Sequence, residues 1–276
     1  MFVRAEKDRK MISRHCHFVS TAALALVWLT ASGFTETDSA SIPPISAQAV
    51  VQKLMAANAA RADALRGYRG RRTYHLDYRG IWGTHSAEIT VEASYSAPDK
   101  KEFKIVSESG SRLLINRVLL KLLSSEQEAQ LQQNRKELEI NPENYQFSLD
   151  QIQHTSTGDY YILNLVPKGK SRYLYRGKIW VDAHDFAVAR MSGEPQKNPS
   201  LWVSHTMIEY RWAKQDSFWL PILNQSETDV RMGGKAFLTI DYSNYQITGV
   251  NRLASGQSHD SHQNLPDPSV VTADPH

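Results

Sequence analysis

The chain alternates between two hydrophobic periods. From Ile45, the apolar positions Val50, Leu54, Ala57, Ala62 and Leu65 recur every three to five residues in an alanine-rich run. That spacing predicts an amphipathic helix over 45–65, closed by Gly67. At Tyr68 the period drops to two. Between Tyr68 and Arg79 the even positions are Tyr68, Gly70, Arg72, Tyr74, Leu76 and Tyr78, and the odd ones are polar or charged. His85–Tyr95 repeats the pattern, with Ala87, Ile89, Val91, Ala93 and Tyr95 on one side. Strict alternation predicts antiparallel strands with one buried and one wetted face. A third strand, Lys101–Ser107, follows a Pro98-Asp99 turn.

A second helix interrupts the strands. Leu113, Leu114, Val118, Leu122 and Leu123 suit a broad buried face. After Ser124 the run turns polar, which predicts an exposed second half, closed at Asn141-Pro142. Strands then return over 145–153, 159–167, 172–182, 186–195, 201–213, 217–230 and 235–247. Short turn signals separate them, such as Thr157-Gly158-Asp159 and Gly233-Gly234. Neighbouring strands joined by tight turns make a meander, and an antiparallel sheet that long must curl. The fold expected is α+β: a strongly curled antiparallel sheet of about ten or eleven strands, an incomplete β-barrel, with helices over its concave face.

The ends of the chain read differently. Arg4, Lys7, Arg9, Lys10 and Arg14 precede the uncharged run Phe18–Ala31. Such a run fits a signal peptide and is short of the ~20 residues a membrane span needs. Residues 1–31 are therefore expected to be a cleaved export signal, with Met1 or Met11 as the start. Residues 32–44 read as a linker, 45–250 as the folded domain and 251–276 as a disordered polar tail. The signal also accounts for the charge. The chain carries 32 Lys and Arg against 29 Asp and Glu, and without residues 1–20 the counts are 27 and 27. Bulk charge thus makes no case for nucleic-acid binding. The only cysteine, Cys16, falls within the signal, so no disulfide or thiolate metal site is expected.

Chemistry-bearing groups are few. G-x-S-x-G, H-E-x-x-H and C-x-x-C patterns are missing from the sequence. Gly169-Lys170-Ser171 resembles the end of a phosphate loop, but Asn164 stands where its first glycine should be. Neither a metal site nor a cofactor is expected, and His259 and His262 lie in the tail. Asp182, His184 and Asp185 fall within four positions. They fit an acid–base cluster or the polar tip of a hairpin, and the flanking alternation favours the tip. Lys168, Lys170, Arg172, Arg176 and Lys178 share one parity and read as a solvated strand face, or as a docking patch for a membrane or partner. Trp82, in the Gly80–Gly83 turn, is a candidate exposed tip. Arg72 is a cation on an apolar face: either it reaches out to water, or it stands in a cavity where it can hold a lipid carbonyl or phosphate.

Several segments resemble a known family. INRVLLKLLSSEQEA, NPENYQFSL, LVPKGKSRYLYRGKIWVDAHDFAVARMSGEP, NPSLWV, FWLP and LTIDY, between Leu114 and Tyr245, are similar in order and spacing to the LolA-like outer-membrane lipoprotein-sorting proteins. The resemblance implies an incomplete antiparallel barrel with helical lids that holds acyl chains of lipids or lipoproteins in the periplasm, without catalysis. Candidate cavity residues are Arg72, Tyr74, Leu76, Ile89, Val91, Phe103, Ile105, Tyr175 and Ile179. Two rivals stand beside that reading: a module that binds an envelope protein, and, more remotely, a hydrolase built on Asp182, His184 and Asp185. An open apolar cavity favours the carrier, and a solid interior with an exposed groove favours the partner module.

Overall fold

The computed structural model describes residues 45–81, 83–129, 136, 138–171, 173–197, 203–231 and 233–251. The expected signal and linker and the tail beyond Asn251 lie outside these residues, as do Trp82, Arg172, His259 and His262.

The first helix, α1 (Ala47–Ala64), begins at Ser46, whose hydroxyl accepts from the Ala49 N–H at 3.2 Å. It runs straight into β1 (Leu65–Gly80). Gly67 is therefore not the helix terminator. It lies inside the strand, where an added Cβ would press against Thr248 and the Tyr95 carbonyl. β2 (Gly83–Ser96) and β3 (Lys100–Gly110) follow as antiparallel neighbours. The second helix, α2, has three contiguous parts: an α turn Arg112–Leu114, a π turn Ile115–Leu119 and an α-helix Leu120–Ala129. The π turn shifts its phase. Leu114, Ile115, Leu119 and Leu123 are buried, whereas Leu113, expected inside, is 68% exposed.

Seven strands complete the sheet: β4 (Tyr145–Thr155), β5 (Gly158–Pro167), β6 (Tyr175–Asp182), β7 (Val188–Pro195), β8 (Val203–Gln215), β9 (Phe218–Val230) and β10 (Lys235–Val250). Their order is β3-β2-β1-β10-β9-β8-β7-β6-β5-β4, every neighbour antiparallel. Among the described residues the curled sheet does not close, and β3 and β4 are its edge strands. β6 starts at Tyr175, later than alternation suggested. The basic set is accordingly split: Lys168 and Lys170 precede the strand, and only Arg176 and Lys178 lie on it. Lys168 donates to the Pro142 carbonyl at 2.6 Å, and Lys178 pairs with Asp150 at 2.9 Å.

Residues opposite each other on paired strands share a face. One row crosses nine strands: Ile89, Tyr74, Ile240, Asn224, Tyr210, Met191, Ile179, Leu163 and Leu149. It is the spine of the inner face, and both helices pack on it. α2 covers the part formed by Tyr74, Leu76, Ala87, Ile89, Val91 and Ile240. α1 covers the part formed by Tyr161, Leu163, Leu165, Ile179, Val181 and Met191. Asn224 marks the seam between the two, buried and with its Oδ1 lacking a hydrogen-bond partner among the described residues.

Burial of α1 rests on Val50, Val51 and Leu54, each worth about 1.5–3 kcal/mol. Leu54→Ala should lower unfolding stability in a urea titration by about 2–5 kcal/mol. Met55→Ala, one position on and exposed, should change it by less than about 0.5 kcal/mol.

Candidate functional site

Arg72 does not reach for water. It is 2% exposed, and its Nη1 donates to both carboxylate oxygens of Glu126, at 2.6 and 2.8 Å. The guanidinium stands between the rings of Phe103 and Tyr242, 5.1 and 4.9 Å from their centroids. Tyr74 Oη donates to Glu126 Oε2 at 3.3 Å, and Lys101 Nζ donates to Glu126 Oε1. Four elements meet here. β1 supplies Arg72 and Tyr74, β3 supplies Phe103 and Lys101, β10 supplies Tyr242, and α2 supplies Glu126 from its last described turns.

Charge balance sets the protonation states. Burial pushes the Glu126 carboxyl up, but Lys101 and Arg72 outweigh it and hold the group below the usual glutamate range. Burial would lower Arg72, and the Glu126 carboxylate reverses that. Lys101 goes the other way: burial, then repulsion from Arg72, lower it despite the same carboxylate. Two cations thus share one anion, and the arginine has the better half. Tyr74 and Tyr242 are raised by burial first, which keeps both phenols neutral donors.

The remaining candidates form two groups. Tyr74, Leu76, Ile89 and Val91 are buried beneath α2, with Phe103 half-buried beside them. Ile179 is buried beneath α1, and Tyr175 packs at that cluster's margin with its ring edge-on to Tyr210. Ile105 lies across from Val91 on the edge strand, 41% exposed. The two groups share the inner face but lie on either side of the Asn224 seam.

Two cavities adjoin these cores. The smaller, about 310 Å³, opens beside α1 and is lined by Asn58, Arg61, Ala62, Leu65, Ile140, Ala187, Val188, Trp212, Phe218, Trp219 and Leu220. The larger, about 840 Å³, is lined by Arg69, Gly70, Arg71, Glu92, Ala93, Ser94, Glu102, Phe103, Lys104, Gln127, Asn244 and Gln246. In the strand register Arg69, Ser94 and Glu102 form one cross-strand row, and Arg71, Glu92 and Lys104 another. Both rows alternate away from the buried Ala93, whereas Gly70, Ala93 and Phe103 form the inner-face row between them and Gln127 comes from α2, so the cavity is a largely polar groove lined from both faces.

The Asp182–Asp185 cluster is a built turn. Asp182 Oδ1 accepts from the His184 and Asp185 N–H groups at 3.0 and 2.7 Å, and His184 is exposed. Asp185 Oδ2 accepts from Trp219 Nε1 and pairs with Lys214, both at 2.8 Å. Lys214 leads the groups that hold Asp185 below the usual carboxylate range, against burial. Asp182 is spent on the backbone of its own turn and Asp185 on Trp219 and Lys214, while His184 is exposed. The tip has another use. Arg61 of α1 donates to the carbonyls of Asp185 and Phe186 at 2.8 and 2.9 Å, and Lys53 lies 4.8 Å from the Phe186 ring centroid. The hairpin clasps α1.

Sequence reading missed Glu126 and Arg61, although the signal was present. Glu126 follows Leu119 and Leu123 at i+7 and i+3, and Arg61 follows Val50 and Leu54 at i+11 and i+7. Each continues the buried stripe of its helix.

Leaving one partner of a buried pair unanswered costs about 3–5 kcal/mol. Glu126→Gln should destabilise the protein by roughly that much at pH 7. Because the folded carboxyl is lowered, its contribution is complete above the unfolded glutamate value of 4.5 and is lost as pH falls through the lower folded value. Denaturation curves of wild type and Glu126→Gln should therefore converge as pH drops below that range. A gap unchanged into strong acid would show that the charge is not what holds α2.

No family model and no curated protein matches the chain. Solved structures similar to it include a DUF1329 family protein from Desulfovibrio piger, at 12% identity and TM-score 0.38 over 73% of this chain and 93% of that one. A LolA superfamily protein from Nitrosomonas europaea matches at 12% identity and TM-score 0.33, over 78% and 99%. A domain described as an outer membrane lipoprotein-sorting protein, from Vibrio parahaemolyticus, matches at 10% and 0.36, over 75% and 96%.

Proposed function

We propose that the protein is an exported, non-catalytic binder of acyl chains, a periplasmic lipid or lipoprotein carrier of the outer-membrane lipoprotein-sorting type. One observation carries this reading. The inner face is apolar beneath two helices, and each helix is fastened by one charged residue on its buried stripe, Arg61 or Glu126. Releasing such a fastening uncovers apolar surface without breaking the sheet. A chain that takes the place of a helix gains roughly 0.8 kcal/mol per buried CH₂. The sorting-protein resemblance and the predicted export signal support the same reading.

The largely polar groove of about 840 Å³ favours a second reading, an envelope module that binds a protein. Its alternating Arg, Glu and Lys rows suit a polar partner segment and not an acyl chain.

Purification from the periplasm under native conditions, followed by lipid mass spectrometry, tests the first reading. Acyl-bearing molecules should co-purify in stoichiometric amounts. A lipid-free protein, together with co-purification of a protein that Arg71→Glu releases, would replace it with the second.

A further inference from the structure

The cavity beside α1 is small for a carrier of several acyl chains. Its volume of about 310 Å³ stands at the lower end for ligand pockets, room for one chain. Its walls are apolar and aromatic: Leu65, Val188, Trp212, Phe218 and Leu220. At its rim is Arg61, and the acceptors around that guanidinium are neutral. They are the carbonyls of Asp185 and Phe186 and, at 2.7 Å, Asn58 Oδ1. The neighbouring carboxylate of Asp185 is engaged by Lys214 and Trp219. Burial lowers Arg61, with Asp185 and Asp182 opposing from a distance. Among the described residues, the rim therefore holds a guanidinium with no carboxylate bonded to it, above an apolar pocket.

We propose that this pocket binds a single medium-length alkyl chain carrying a free carboxylate, tail on the indoles and head at Arg61. The proposal rests on the acyl-binding reading above and narrows it to an anionic, single-chain ligand. A carboxylate can take the Arg61 donors in place of Asn58 Oδ1, exchanging a neutral acceptor for a charge-assisted one. An alcohol of the same length gains no such exchange.

The test uses the full chain, with decanoate and 1-decanol as probes. Binding is read by calorimetry and by indole fluorescence, since Trp212 and Trp219 line the pocket. Decanoate should bind at least about tenfold more tightly than decanol. Arg61→Gln should remove that preference, and Arg61→Lys should restore part of it. Ala62→Trp, at an exposed lining position of α1, should fill the pocket and abolish binding of both probes with the melting temperature unchanged. Equal affinities for the two probes, or decanoate binding that survives Ala62→Trp, would overturn the proposal. Should decanoate fail while native lipid still co-purifies with wild type and with Ala62→Trp, the acyl-binding reading would stand and only this site would fall.

Discussion

A buried guanidinium needs an answering charge, and much of this molecule is arranged around that need. Arg72 stands in the middle of a strand, facing the core, with Gly70 and Tyr74 on either side of it in the alternation. Water does not reach it, so a carboxylate must come from another element. The nearest cover is α2, and Glu126 is the residue that arrives. Placing it correctly demands that α2 lie across β1 and β2, which in turn buries Leu119 and Leu123. The ion pair fixes where the helix lies, and the leucines supply most of the attraction.

The second half of the sheet solves a similar problem with the signs exchanged. There the helix carries the cation, Arg61, and the sheet supplies acceptors from the carbonyls of a hairpin tip. These acceptors are available because Asp182 has already drawn the tip into a tight turn. The residue cluster that looked most like chemistry in the sequence thus acts as a mount for a helix.

Strand positions and faces were legible because a period of two leaves little ambiguity once one face is buried. Ala87, Ile89, Val91 and Ala93 are all inside as the alternation required. Two things were hidden. The π turn in α2 moved Leu113 outside and Ile115 inside, a phase change that no regular helical period contains. The long-range partners were hidden as well. Glu126 is 54 residues from Arg72, and Arg61 is 124 from Asp185. Local pattern can mark a charged residue on a buried stripe, but only the folded sheet shows what answers it.

The two helices differ in where they are hinged. α1 passes directly into β1 at its C-terminal end, whereas α2 leaves β3 at its N-terminal end through Ser111 alone. Arg61 lies within one turn of α1's fixed end, and Glu126 lies near the far end of the described part of α2. In mechanical terms, the Arg61 fastening sits beside the pivot of α1, so a push at its N-terminal end works against that clasp with a long arm. What resists the push there is the oily contact of Val50, Val51 and Leu54, so the N-terminal half of α1 is held by burial and its C-terminal end by hydrogen bonds.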